Sequence, residues 1–347
     1  MKLAPRALDA ARSSRGFVRK ALLLVLLALI VVAVLVQSGA GSLSKEDVRR
    51  DILAIQKNAP FAAAMRTAPL PGVPVGNMDS PAMGAYFPAT GDELPPIVLV
   101  HGTPDTMGAF GALLFGEGGL HGQANVWALE VAGHGFALAN EDEYSFQICA
   151  DHVAASLQAF GLEGVTLVGN SYGGEFCWRV AADHPELVAR LVLIDSSGLP
   201  RTDDQFLSEE VKMREWSVAR LGYLLNSEER VAFALDPHFD GHADPGRVHE
   251  VFLGLENRAN WNAMIDLVRD ENGARENDLA RIQAPTLLLW GETDQAYPPD
   301  TFGRVFDERI PSSRLVVVEG AGHYPHEQQP ALVAKEILAL HREGRGK

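Results

Sequence analysis

The sequence predicts an α/β fold, a mainly parallel sheet covered by helices on both faces, from three observations. Short apolar runs recur at 97–100, 126–131, 165–168, 191–194, 286–290 and 315–318. Such continuous runs, without polar alternation, mark strands buried on both faces. Helix-like segments such as 144–160 alternate with them, the order that builds parallel sheets. Finally, the run at 165–168 passes through a glycine-flanked turn straight into a helical segment beginning near Glu175.

Taken in order, residues 1–20 form a basic leader, with Lys2, Arg6, Arg12, Arg15, Arg19 and Lys20 against one acid, Asp9. Residues 21–36 are uninterruptedly apolar and no charge follows until Lys45, so that segment 21–43 reaches bilayer dimensions. The positive-inside rule leaves the N-terminus cytoplasmic and the remainder extracytoplasmic. The long basic region favours an uncleaved signal anchor, although Ser38-Gly39-Ala40 offers small residues before a potential cut. A helix of a soluble core would keep a polar face, and this run has none.

Residues 44–82 read as a linker, with a short helical piece at 45–58 and then a Pro/Gly-rich stretch. Residues 83–347 form the α/β domain, its sheet beginning with strands at 83–88 and 97–100. Between 199 and 282 the alternation stops. This stretch is helix-like and carries Phe206, Trp216, Tyr223, Phe233, Phe239, Phe252 and Trp261, most of which are expected to pack a small core of their own.

The turn itself is Gly169-Asn170-Ser171-Tyr172-Gly173-Gly174. Serine at the apex, with glycine two residues either side, is the G-x-S-x-G nucleophile elbow, in which missing Cβ atoms let strand and helix approach. The strand at 97–100 runs into His101-Gly102-Thr103-Pro104, whose main-chain N–H groups would face the elbow. The strand at 286–290 is followed by Gly291-Glu292-Thr293-Asp294, and that at 315–318 by Gly320-Ala321-Gly322-His323.

A serine hydroxyl is a weak nucleophile at neutral pH and needs a base; histidine suits, and a carboxylate on its far nitrogen fixes the tautomer. Ser171 is therefore read as nucleophile, His323 as base then acid, and Asp294 as the orienting acid. Asp195, at the end of strand 191–194, is the other candidate for the acid. His326 is a weaker rival for the base, read as a surface residue at a helix start. The backbone N–H groups of Thr103 and Tyr172 would form the oxyanion hole, each worth about 3 kcal/mol of barrier. Met107, Phe110 and the Tyr172 side chain are candidate substrate contacts. An acyl-enzyme hydrolysed by water requires neither metal nor organic cofactor.

The chain order Ser171, Asp294, His323, each after a strand, resembles the α/β-hydrolase superfamily over about residues 83–342. The resemblance implies that the 199–282 insertion is a cap roofing the active site and that His101 and His134 tie loops together. It also keeps Asp195 open, since some members take their acid from that earlier strand. Haloalkane dehalogenases and epoxide hydrolases use aspartate as nucleophile, so Ser171 argues against both. It points to esters, lactones, thioesters or activated amides, a small carboxylic ester or related acyl bond being the expected substrate. The Gly-Asn-Ser-x-Gly-Gly wording also resembles the meta-cleavage-product hydrolases, which makes carbon–carbon cleavage the alternative. A non-catalytic hydrolase-fold binding protein is the reading from another class, and the intact Ser/Asp/His set argues against it.

The formal charge is −15; setting aside the leader, with its six basic residues and one acid, leaves −20. So acidic a domain is no nucleic-acid binder. The expected partners are a small acyl substrate and the lipid bilayer through 21–43. Cys149 and Cys177 read as buried small apolar residues, with a disulfide between them open in an oxidising compartment. His238, Asp240, His242 and Asp244 stand at alternate positions that would suit zinc on an extended strand. Pro237, Gly241 and Pro245 suggest an exposed turn instead.

Overall fold

The computed structural model describes residues 19–28, 30, 31, 34, 41–70, 81–135, 137, 143–202, 205–216, 218–239, 241 and 243–343. The chain divides into two units, Met1–Ser42 and Leu43–Lys347. In the first, residues 19–28, 30, 31 and 34 are helical and leave Leu22, Leu24, Leu26, Ile30 and Val34 exposed. Among the described residues no helix is long and apolar enough to cross a membrane. Much of the segment read as an anchor, residues 29, 32, 33 and 35–40, lies outside the described residues.

In the second unit one eight-stranded sheet forms the centre, in the order β1-β2-β4-β3-β5-β6-β7-β8. The strands are β1 Met65–Ala68, β2 Ala82–Phe87, β3 Ile97–Val100, β4 Val126–Glu130, β5 Val165–Asn170, β6 Val188–Ile194, β7 Thr286–Gly291 and β8 Ser313–Val318. β1 and β2 run antiparallel to their neighbours, whereas β4, β3 and β5 to β8 are parallel. The C-terminal ends of β3, β5, β6, β7 and β8 therefore share one edge, where ligands bind in open α/β sheets.

Each face of the sheet carries its own apolar cluster. One packs Val98, Val100, Leu167, Leu191, Leu193 and Trp290 under helices Phe146–Ala159 and Tyr172–Asp183, with the buried, free Cys149 and Cys177 among them. The other packs Leu99, Val168, Val192, Leu287 and Leu289 against Val333, Ile337 and Leu338 of helix Pro330–Arg342. Burial of this order, about 25 cal/mol per Å² of apolar surface, is what holds both helical layers to the sheet.

The linker reading of 44–82 is corrected for residues 45–68, while 71–80 lie outside the described residues. Helix Lys45–Ala54 buries Val48 and Ile52 in the second cluster, helix Ala59–Ala64 buries Phe61, and β1 adds an edge strand. The Met-Arg-Thr-Ala of β1 is short and half-exposed, as edge strands often are, so no apolar run announces it. This arm also grips the insertion: Leu43 N–H donates to Glu256 O (3.0 Å), Asn257 Nδ2 to Leu43 O (3.0 Å), and Lys57 pairs with buried Glu250 (2.6 Å).

The 199–282 insertion is helical as expected, with helices Ser208–Glu215, Glu228–Leu235, Pro245–Leu255 and Arg258–Asp270. Its own core is Val231, Leu235, Phe239, Val248, Val251, Leu255 and Met264, closed by Tyr324 from the sheet side. Of the aromatics, Phe239 stacks on Tyr324 (4.6 Å between centroids) while Trp216 and Phe233 are exposed.

Candidate active site

Ser171 begins helix Tyr172–Asp183 with φ 55° and ψ −124°. A non-glycine residue held at positive φ costs on the order of 1–3 kcal/mol and persists where the surroundings over-determine it. Those surroundings are the glycines: a Cβ on Gly169 would collide with the Gly173 carbonyl, and one on Gly173 with the His101 carbonyl. The His101–Pro104 loop crosses directly over the serine, since a Cβ on Gly102 would lie 2.9 Å from Ser171 Cβ.

Asn170, one residue before the apex, donates from Nδ2 to the carbonyls of Ile194 (3.1 Å) and His323 (3.2 Å). The loop that carries His323 is thereby pinned to the base of the elbow. His323 Nδ1 donates to Asp294 Oδ2 at 2.9 Å, both groups being buried. The other Asp294 oxygen accepts from the N–H groups of Ala296 (2.8 Å) and Tyr297 (3.2 Å). Burial pushes the Asp294 carboxyl up, but His323 and these hydrogen bonds outweigh it and leave it below its ordinary value. The histidine thus has its orienting carboxylate in the ionised form.

Asp195 stands beside this pair at φ 46°, fully buried, and its Oδ1 accepts from Gly291 N–H (2.9 Å). Burial, then the neighbouring Asp294 charge, raise it well above the carboxylate range. Its proton is therefore held more tightly than that of Asp294, because two like charges this close resist joint ionisation. Ligand atoms of Asp195, Asp294 and His323 all lie within 4.8 Å of one another. Both Asp294 oxygens are nevertheless committed to hydrogen bonds, which describes a histidine with its acid rather than a cation cage.

On the oxyanion side, Thr103 Oγ1 bonds His134 Nε2 (2.5 Å) and His134 Nδ1 donates to Ala132 O (3.0 Å). His101 Nε2 accepts from Val131 N–H (3.1 Å), so its Nδ1 donates to Gly102 O (2.8 Å). Both imidazoles are kept neutral by burial, which lowers His134 to about 4. They tie the His101–Pro104 loop to the segment that follows β4. Tyr172 is the first residue of its helix, where an N–H has no carbonyl one turn earlier to bond.

Met107 and Phe110 are fully buried in the second apolar cluster, Phe110 against the His326 ring (5.2 Å). His326 is corrected as well: it starts helix Pro325–Gln328 but is completely buried, and burial lowers it to about 3. Of the His238 to Asp244 cluster only His238 and Asp244 are among the described residues. Asp244 caps helix Pro245–Leu255, accepting from Arg247 N–H (3.0 Å), while Asp240 and His242 lie outside the described residues. His238 is no exposed turn residue: its carbonyl accepts from His323 N–H (3.1 Å), its ring lies 5.0 Å from that of His323, and burial lowers it to about 3.

Sequence reasoning also missed a buried polar group within the insertion. Glu271 Oε2 accepts from Tyr172 O–H (2.8 Å), Oε1 from Tyr297 O–H (2.7 Å), and Arg201 Nη1 reaches both oxygens (3.2 and 3.1 Å). Arg201 pairs in turn with Glu210 (2.9 Å). Nothing in the local sequence marks Glu271, which follows an ordinary amphipathic helix.

The sequence profile of the "Alpha/beta hydrolase family" matches residues 97–336. A 2-hydroxymuconate semialdehyde hydrolase of Pseudomonas sp. (strain CF600) is 32% identical over 255 residues, covering 70% of this chain and 85% of the relative. Among solved structures, a membrane phospholipase A described as a bacterial virulence factor superposes with a TM-score of 0.65 at 24% identity, over 94% of this chain and 100% of its own. A thermophilic esterase from Thermogutta terrifontis superposes with a TM-score of 0.64 at 23% identity, over 80% and 98%.

Proposed function

Given that the chain belongs to the alpha/beta hydrolase family, we propose that it is a serine hydrolase cleaving a small carboxylic ester or related acyl bond through an acyl-enzyme on Ser171. The observation that carries this reading is the His323–Asp294 hydrogen bond of 2.9 Å, in a loop pinned by Asn170 to the base of a strained serine turn.

In this mechanism Ser171 Oγ attacks the acyl carbonyl as His323 Nε2 takes its proton, and Asp294 stabilises the imidazolium. The tetrahedral oxyanion accepts from the main-chain N–H groups of Thr103 and Tyr172. Its collapse expels the alcohol, which receives the proton from His323. Water, deprotonated by the same imidazole, then attacks the acyl-enzyme and releases the acid. The Thermogutta esterase supports an ester as substrate.

The relative at 32% identity favours a second reading, hydrolysis of a carbon–carbon bond in a β-diketone-like substrate. We further propose that segment 21–43 tethers the enzyme to a bilayer, with the second unit extracytoplasmic. The uncharged run behind a basic leader supports this, as do the exposed Trp216, Val218, Leu225 and Phe233 of the cap and the full-length similarity to a membrane phospholipase A.

The test is fluorophosphonate labelling of the protein, wild type against Ser171→Ala, followed by a screen of esters, lactones and β-diketones. Labelling confined to the wild type is expected. A folded wild type that does not label would overturn the reading.

A further inference from the structure

We infer that Glu271 is a positioning residue through which the cap holds the nucleophile elbow and the acid loop in mutual register. The carboxylate belongs to the cap, at the C-terminal end of helix Arg258–Asp270. Its two tyrosine donors belong to the two halves of the catalytic machinery. Tyr172 follows the nucleophile and opens the helix whose first N–H faces the oxyanion. Tyr297 donates its N–H to Asp294 Oδ1 and lays its ring 5.5 Å from that of His323. One buried carboxylate therefore spans both, each oxygen taking one phenol at 2.7 or 2.8 Å.

Arg201 makes the arrangement tolerable. A carboxylate this deep would cost several kcal/mol unpaired. The Arg201 side chain, itself fully buried, contacts both Glu271 oxygens and lies over the Tyr297 ring (4.9 Å) and the Phe206 ring (4.1 Å). Glu210 of helix Ser208–Glu215 holds the other side of the guanidinium. Both ends of the cap, near 201–210 and at 271, thus converge on one ionic joint beside the catalytic loops. Burial raises both tyrosine hydroxyls well above their ordinary pKa, so they stay protonated donors throughout the working pH range. Neither Tyr172 O–H nor Glu271 needs to touch substrate for this role.

The kinetic part of the test rests on the serine-hydrolase reading; a second readout does not. In the full chain, Glu271→Gln keeps the shape but presents an N–H₂ to one phenol and removes the charge. For p-nitrophenyl acetate, kcat is expected to fall about 100-fold, the scale of an ångström-size misplacement, with KM within about threefold of wild type. Tyr172→Phe and Tyr297→Phe should each give part of that loss and add nothing to Glu271→Gln, as members of one unit do. In Ser171→Ala, which cannot turn over, the low-field Nδ1–H resonance of His323 should be sharp, and Glu271→Gln should broaden or shift it.

Wild-type kcat in Glu271→Gln, or losses that multiply in the double variants, would overturn the inference. If Glu271→Gln does not fold, the two phenylalanine variants decide, and unchanged kcat in both overturns it. If the wild type does not label with fluorophosphonate, the serine-hydrolase reading fails and the resonance alone decides; an unperturbed resonance then overturns the inference.

Discussion

Asp195 and Asp294 are neighbouring carboxyls in different environments, and it is Asp294 that bonds His323 Nδ1 (2.9 Å). His323 and backbone N–H groups hold the Asp294 carboxyl below its ordinary value, while burial and the Asp294 charge hold Asp195, enclosed at the end of β6, well above it. Asp294→Asn should therefore lower kcat by about 10⁴-fold through the wrong histidine tautomer, with Asp195→Asn costing far less; steady-state kinetics on one ester would reveal the reverse if Asp195 were the acid. The contest was visible in the sequence because both residues follow strands. The sequence favours Asp294, and the fold adds which of its oxygens faces His323. Glu271 and His238 were hidden for a related reason: nothing local in 238 or 271 reveals that the cap folds back onto His323 and Tyr172.

Among the elements, the strand–elbow–helix unit of β5 and Tyr172–Asp183 was the most legible, because its glycines are dictated by close backbone approach and its strand by a pure apolar run. The helix also carries a buried charge with a consequence for pH. Burial lifts Glu175 to about 7 despite Arg179 (2.5 Å) and the Ser197 hydroxyl (2.9 Å). Its folded pKa lies above the unfolded value, so the native state binds the proton more tightly. The stabilising contribution of that proton is complete below about pH 4.5 and disappears as pH rises through about 7. Denaturant melts across pH 4.5 to 7.5 should show a smaller downward slope for Glu175→Gln than for wild type, even where the variant is less stable overall. An identical slope in both proteins would mean that the Arg179 pair keeps Glu175 ionised throughout.

For the whole molecule, the parallel sheet, the helical insertion and the order of the loops that carry Ser171, Asp294 and His323 were all readable, since each follows from apolar runs and their interruption. In the arm at 45–68 the helical piece was readable, but the edge strand and the packing were not. Its helix is polar on average and its strand half-exposed, so its buried contacts come from partners far away in sequence. The bilayer tether is a separate matter with a separate test. The full-length protein should remain with membranes after a carbonate wash and retain residues 1–40; soluble protein starting near Gly41 would remove the tether.

The grip of that arm has a mechanical meaning. Where the second unit begins, Leu43 is bonded in both directions to the Glu256–Asn257 corner of the cap, and Lys57 holds Glu250 further along. Tension applied at Leu43 is therefore delivered to the 199–282 insertion before it reaches any strand of the sheet, which makes that residue a handle on the insertion.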